Sequence, residues 1–361
     1  MKENLRAYFK DLSGLMGISG CEQPVVKYMK EKLEPFADEI QVDTSGNVIA
    51  VRHGNRPGPR LMIEAHGDEV GFCVKNILAN GFLYFDKVGT QSDKVMEGRK
   101  VWVKDAIPGI IGIKPGHLQS AEESRRVKTS RECYIDIGMS SKEEVEKLGV
   151  KIGDPIVLQS SFMEMTNKDL ICTKSVDNRI NCAILIELFR QMKELDFAGT
   201  VYAVASVQEE VGLRGAAMVG NLIQPDYAIA LDTIPAGDTP DVDTEKDLPM
   251  YLGKGPGLPV AYGYHFPIFA YAHPQVRKMI EKAAEREKIS LQYVTLTGDG
   301  YSTNAATLST AGKGIPTATL TVPRRYSHSP VELFDLNDAV GSLKILKQIV
   351  ADNENANLSF I

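Results

Sequence analysis

The stretch Val201-Tyr-Ala-Val-Ala-Ser-Val-Gln-Glu-Glu-Val-Gly-Leu-Arg-Gly215 constrains the chain more than any other. Its apolar, β-branched first half reads as a buried strand, and the glycines beyond it open a helix. Two adjacent carboxylates, Glu209 and Glu210, therefore fall at a strand's carboxyl end, where open α/β sheets place their ligands. Neighbouring residues at such an end point different ways, so one carboxylate can hold a cation while the other faces a water molecule. An isolated Glu-Glu pair is more often a solvated acidic turn. The segments around it decide between the two.

With 361 residues, 43% hydrophobic and 24% charged, the chain can bury a sizeable core. A net charge of -6 with no basic block argues against nucleic acid as the main partner. The amino terminus is charged and lacks an apolar run of signal-peptide length, and no segment is apolar enough to span a bilayer. The expectation is a cytoplasmic protein with no membrane partner. Cys21, Cys73, Cys133, Cys172 and Cys182 are odd in number and scattered, with no C-x-x-C spacing, so neither a disulfide framework nor a thiolate zinc site is expected. Any metal would be held by His and carboxylate.

Two helices open the chain, one through Leu5, Phe9 and Leu12, the next from Pro24 with Val25, Val26, Met29 and Leu33 inward. A hairpin spans 39–51 and a buried strand 60–65, ending at His66-Gly-Asp68. After Gly71 the texture changes to short strands at 72–74, 82–85, 100–103, 109–113, 134–137 and 155–158, broken only by a helix with the capping pattern Ser141-x-x-Glu144. This is an all-β module of barrel or sandwich size. The α/β texture resumes near Leu170. A helix follows Ser175-Val-Asp177, where Asp177 reads equally as an N-cap; a strand from Tyr227 ends at Asp232. The Gly- and Pro-rich run 238–269 contains Leu252-Gly-Lys-Gly-Pro256, a loop that lacks the ending of a phosphate-binding loop, and a strand is expected between His265 and His273. A helix starts at Pro274, the last strand runs 317–322, and a final helix covers 337–349. Strands alternating with helices imply a mostly parallel sheet. His117, His265 and His273 stand alone and read as structural or surface histidines.

His66, Asp68, Asp177, Glu209, Glu210, Asp232 and His328 fall nearly all at predicted strand ends. Two imidazoles and three carboxylates suit a pair of divalent ions of the zinc, cobalt or manganese type, with one carboxylate bridging. Such a pair activates a water and polarises a carbonyl. A further carboxylate would take the water's proton and pass it to the leaving group.

The segments Ala65-His-Gly-Asp-Glu-Val-Gly71, Val176-Asp-Asn-Arg179, Gln208-Glu-Glu-Val-Gly-Leu-Arg-Gly-Ala216, Leu231-Asp-Thr-Ile-Pro-Ala-Gly-Asp-Thr239 and Arg325-Tyr-Ser-His-Ser-Pro-Val-Glu332 resemble, in order, those of the tetrahedral (glutamyl) aminopeptidase family of dizinc metallopeptidases. The resemblance implies a three-layer, mostly parallel α/β catalytic domain at 1–69 and 165–361, with an all-β, barrel-like dimerisation domain inserted at 70–164. It implies His66 and Asp232 as ligands of one metal, Glu210 and His328 of the other, Asp177 bridging, Glu209 as general base and Asp68 orienting His66. Two divalent ions per subunit, zinc foremost, would serve hydrolysis of amino-terminal peptide bonds of short peptides. Dimers would assemble into a homo-oligomer, a dodecamer.

One departure stands out. Where the resemblance leads to Gly-Gly-Thr-Asp-Ala, the chain has Gly300-Tyr-Ser-Thr-Asn-Ala305. Tyr301 or Ser302 replaces a glycine and Asn304 an acid, which bears on the substrate rather than on the metal. An acidic-residue pocket would need a basic side chain, for which Arg324, Arg325 and Lys254 are the candidates. Two other readings remain: a dimetal hydrolase of another amide or a glycosidic, cellulase-like bond, and a non-catalytic assembly protein on the same scaffold.

Overall fold

The strand that carries Val201 runs Ala198–Ser206 and pairs in parallel with Arg56–His66, which pairs in parallel with Tyr227–Pro235, and that strand with Thr317–Arg325. This computed structural model describes residues 1–263, 269–297 and 300–360. Alternation along the four strands divides their side chains between two cores. Leu61, Ile63, Val201, Ala203, Ile229 and Leu231 face the helices Lys2–Gly14, Gln23–Leu33, Val176–Met192, Pro274–Glu287 and Leu336–Ala351. Met62, Val204, Ala228 and Ala230 face the helices Arg214–Ile223 and Ala305–Leu308. Helices on both faces explain why these strands are apolar on both sides. The result is the expected three-layer α/β arrangement.

Among the described residues the sheet has twelve strands and is parallel at its centre. Its flanks are antiparallel: Val48–His53 and Glu39–Val42 on one side, Glu332–Asp335, Leu170–Thr173 and Met163–Glu164 on the other. Several strands correct the sequence reading. Gly257–Gly263 lies inside the Gly- and Pro-rich run, where no strand was expected, and pairs in parallel with Gln292–Thr297, also unexpected. Its terminal glycines and Pro259 look like breakers, yet Leu258, Ala261 and Tyr262 are buried. Glu332–Asp335 follows what was taken as the last strand. The strand expected to end at Asp232 continues to Pro235, because its backbone stays in register with Thr317–Arg325. His265 lies outside the described residues.

Between Arg56–His66 and Leu170–Thr173 the chain forms a closed six-stranded antiparallel barrel from Gly71–Ile77, Leu83–Val88, Ile135–Asp136, Ile107–Ile111, Lys100–Val103 and Pro155–Leu158. Phe72, Phe85, Val101, Ile111, Ile135 and Ile156 fill a core of its own. The helix Lys142–Lys147 is capped by the Ser141 hydroxyl, while the Glu144 carboxylate accepts from the Ser140 backbone rather than from Ser141. All five cysteines are free. No helix among the described residues is long and apolar enough to cross a membrane.

Candidate metal centre

Parallel register brings the site together. Ala65 pairs with Ala205 on one side and Leu231 on the other, so His66, the Glu209-Glu210 loop and Asp232 leave the sheet at one level. Asp177 comes from the start of Val176–Met192, where the backbone at Asp177 and Asn178 is not yet helical. It is not acting as a cap. Asn178 Nδ2 donates to Leu231 O at 2.8 Å and Asn181 Nδ2 to Asp232 O at 2.7 Å, tying this helix to the strand of Asp232. His328 arrives on the turn after Thr317–Arg325, with its Nδ1 2.6 Å from Thr90 O at the edge of the barrel.

Asp177 sits between two halves. His66 Nε2 lies 3.2 Å from Asp177 Oδ1, 3.8 Å from Asp232 Oδ1 and 3.9 Å from Glu209 Oε2. His328 Nε2 lies 3.3 Å from Asp177 Oδ2 and 3.4 Å from Glu210 Oε1. Ligand atoms of His66, Glu209 and Asp232, and again of His66, Asp177 and Glu210, gather within 4.8 Å. Asp177 Oδ1 and Glu210 Oε1 are buried yet accept no hydrogen bond. Buried carboxylate oxygens without donors need a cation, and imidazole with carboxylate is a donor set that zinc, cobalt and manganese accept. The residues fit a divalent metal.

Asp68, fully buried, does more than face His66 Nδ1 at 3.3 Å. Its two oxygens accept from the backbone N–H groups of Glu209 and Glu210, each at 3.1 Å, and from Ser19 Oγ at 2.6 Å. One carboxylate thus fixes the imidazole and the di-acid loop together. Glu332, singled out in the sequence only as the end of a motif, accepts from the backbone N–H of His328 at 2.8 Å and of Asp177 at 3.2 Å. Its position in that motif was the signal; the buried partners that give it a role were not visible.

The electrostatics follow from crowding carboxylates out of water. Burial raises the Glu209 carboxyl well above the usual range, helped by Glu210, Asp232 and Asp68 and opposed by His66. Burial also pushes Asp232 up to about 6. Burial alone would lower the two histidines, but Glu209, Asp177, Asp232 and Asp68 hold His66 well above its ordinary value, and Glu210 and Asp177 do the same for His328. Asp177 is desolvated too, yet Arg324 and the two imidazoles hold it well below the carboxylate range. Such a set demands positive charge, from protons or from metal.

The departure divides in two. Tyr301 and Ser302 line the cleft beside Glu209, Asp232 and Thr90, with Tyr301 Oη donating to Thr233 O at 3.1 Å and its ring edge-on to Tyr262. Asn304 is buried beneath the sheet end and donates to Glu64 Oε1 at 2.7 Å. Two of the basic candidates are already paired: Arg324 with Asp177 and Glu332, Arg325 with both Asp238 oxygens at 2.8 and 2.7 Å. Lys254 is exposed in a turn whose flanking glycines donate to Asp338. His117 is exposed on the barrel, and His273 caps the Pro274–Glu287 helix against Phe360.

A sheet with a parallel centre, an inserted barrel and imidazoles gathered with carboxylates at the strand ends is the make-up of a metal-dependent peptidase. Comparison with known proteins specifies which: residues 46–345 match the M42 glutamyl aminopeptidase family, and the chain belongs to it. A lysyl aminopeptidase of Pyrococcus furiosus is 32% identical over 341 residues, 93% of this chain and 94% of its own length. The crystal structure of a TET aminopeptidase from a marine sediment archaeon of the Thaumarchaeota superposes with a TM-score of 0.89 at 34% identity, covering 97% of this chain and 96% of that one. The TET1 peptidase of Pyrococcus horikoshii, described as assembling into a tetrahedron or a large octahedral shell, superposes with a TM-score of 0.83 at 31% identity over 96% of this chain and 99% of that one. The chain is accordingly an aminopeptidase.

Proposed function

We propose that the protein removes amino-terminal residues from short peptides at a centre of two divalent ions, zinc foremost and cobalt or manganese as substitutes, with Glu209 as general base. The observation that carries this is Asp177, whose two oxygens face separate His-and-carboxylate halves. His66 and Asp232 would hold one ion, Glu210 and His328 the other, with Asp177 between them. Bound ions would polarise the scissile carbonyl, lower the pKa of a water and receive the substrate's amine. Glu209 stands beside the His66 half with no hydrogen-bond donor committed to its carboxylate among the described residues. It takes the proton of the water attacking the carbonyl carbon; as the C–N bond breaks, it returns that proton to the departing nitrogen. Asp68 keeps His66 and the Glu209 backbone in place through both transfers.

Nothing basic and unpaired lines the described part of the cleft, which speaks against selection of acidic residues; Tyr301 and Ser302 bound the space for the first side chain. A glycosidase would need two carboxylates flanking the bond and no metal, which leaves the two imidazoles without a role. The gathered residues likewise speak against a scaffold without activity. We also propose that the barrel at 70–164 joins subunits of a homo-oligomer and that dimers build a dodecameric shell.

A mixed peptide library with the purified protein, with and without chelator, tests the activity by mass spectrometry. Stepwise loss from the amino terminus that vanishes in chelator and returns with zinc, cobalt or manganese is expected, without enrichment for Glu or Asp. Trimming that persists in chelator would remove the metal from the mechanism. Glu209→Gln should keep bound metal and lose turnover by about 10²–10⁴-fold; unchanged turnover would remove Glu209 from its role.

A further inference from the structure

Arg324 closes one side of the His328 half. Its side chain is only 4% exposed, and each nitrogen has a neighbour. Nε donates to Thr233 Oγ1 at 2.6 Å, Nη1 lies 3.3 Å from Glu332 Oε1, and Nη2 bonds Asp177 Oδ2. That same Asp177 oxygen faces His328 Nε2. A guanidinium does not give up its charge in a protein. Any ion entering between Asp177 Oδ2, Glu210 and His328 must therefore share an oxygen with a permanent cation and remain beside it. The other half differs: among the described residues, no lysine or arginine pairs with Asp177 Oδ1, Asp232 or Glu209. The three nitrogens of Arg324 are turned to Thr233, Glu332 and Asp177.

We propose that Arg324 makes the two metal positions unequal, so that the His66 half fills first and tightly while the His328 half takes its ion weakly. The proposal rests on the two-ion reading above. Two effects act together. Repulsion between the guanidinium and a divalent ion acts in a buried site, where charges are poorly screened. The hydrogen bond from Nη2 also occupies part of the oxygen that the second ion needs. The ambient metal level then sets how much of the protein carries one ion and how much carries two.

Titration of the metal-stripped, full-length protein with cobalt(II) tests this, followed by calorimetry and by the visible absorption of the bound ion. Wild type should show two resolved steps. Arg324→Met should tighten the second by about tenfold or more, drawing the steps together. Arg324→Lys keeps a cation and should keep the second step weak. Should Arg324→Met not fold, Thr233→Val serves instead: it removes the hydrogen bond that aims the guanidinium and is expected to tighten the second step in part. A second step that is unchanged or weaker in whichever of the Met and Val variants folds would overturn the proposal. Failure of the two-ion reading looks different, since wild type itself would then take up one ion or none at saturating cobalt.

Discussion

Glu64 lies two residues before His66 on the same strand, fully buried, with its Oε1 accepting from Ser206 Oγ and Asn304 Nδ2. Glu64 Oε2 and Asn304 Oδ1 have no partner. Burial pushes the carboxyl up to about 7 against an ordinary 4.5, with Ser206, Asn304 and the His66 charge opposing. The unfolded chain releases this proton near 4.5, whereas the folded chain keeps it until about 7. The folded state therefore binds more protons across that window, and stability falls as pH rises through it. Glu64→Gln has no such slope, and its amide can meet the orphaned Asn304 oxygen. Its advantage over wild type should be absent below pH 4.5 and grow to about 3 kcal/mol above 7. Urea unfolding of both proteins in chelator, across pH, checks this; a constant difference would mean that Glu64 is not protonated by burial. At the same scale, Asp68→Asn puts an N–H where backbone donors point, and should weaken metal binding by about 10–100-fold. Metal affinity equal to wild type would reduce Asp68 to a packing residue.

Between residue and sheet stands the turn that carries the two acids. The helix Arg214–Ile223 begins against the end of the central strand, and Gly215 donates to Val207 O at 3.0 Å. A Cβ at Gly215 would come within 2.4 Å of Val207 O and 2.5 Å of Asn47 Oδ1, and Asn47 itself accepts from the Val207 backbone. Gly215→Ala should cost about 1–3 kcal/mol and shift the 207–215 segment, so weaker metal binding should accompany a lower Tm. A lower Tm with undisturbed metal affinity would show that the di-acid loop is held independently of this contact. The strand leading to Glu209-Glu210 and the one ending in His66 were legible because largely apolar runs stopped at polar residues, and parallel register did the rest. Gly257–Gly263 was not legible, since glycines and a proline that pattern as breakers are acceptable where the strand packs Leu258, Ala261 and Tyr262. Nor was the role of Glu332 or Arg324. A buried charge takes its meaning from partners brought from other elements, and no spacing along the chain encodes the meeting of Arg324 with Thr233.

For the whole molecule, the barrel poses the remaining physical question. Leu83 pairs with Ile135, both inward, so their neighbours Tyr84 and Tyr134 point outward, and Tyr134 lies over Gly112 beside the exposed Ile110 and Ile113. These two isoleucines are 51% and 56% exposed, and Leu118 follows at 61%. Single exposed apolar residues are ordinary, but several on a module with its own core suit the proposed role of the barrel in joining subunits. Covering an isoleucine is worth about 1.5–3 kcal/mol, and burying an unpaired carboxylate in its place is strongly unfavourable. Ile110→Glu with Ile113→Glu should therefore break the proposed association of subunits through the barrel, while the catalytic sheet, whose cores are separate, keeps its fold. Sedimentation velocity should show a smaller species at unchanged circular dichroism. If the double variant sediments as wild type does, subunits meet elsewhere and the barrel must face solvent or substrate. His328 links the two outcomes, because its Nδ1 rests on Thr90 O next to the barrel. If association steadies that loop, the smaller species should also lose metal from the His328 half before the His66 half, and the cobalt titration of the double variant measures it.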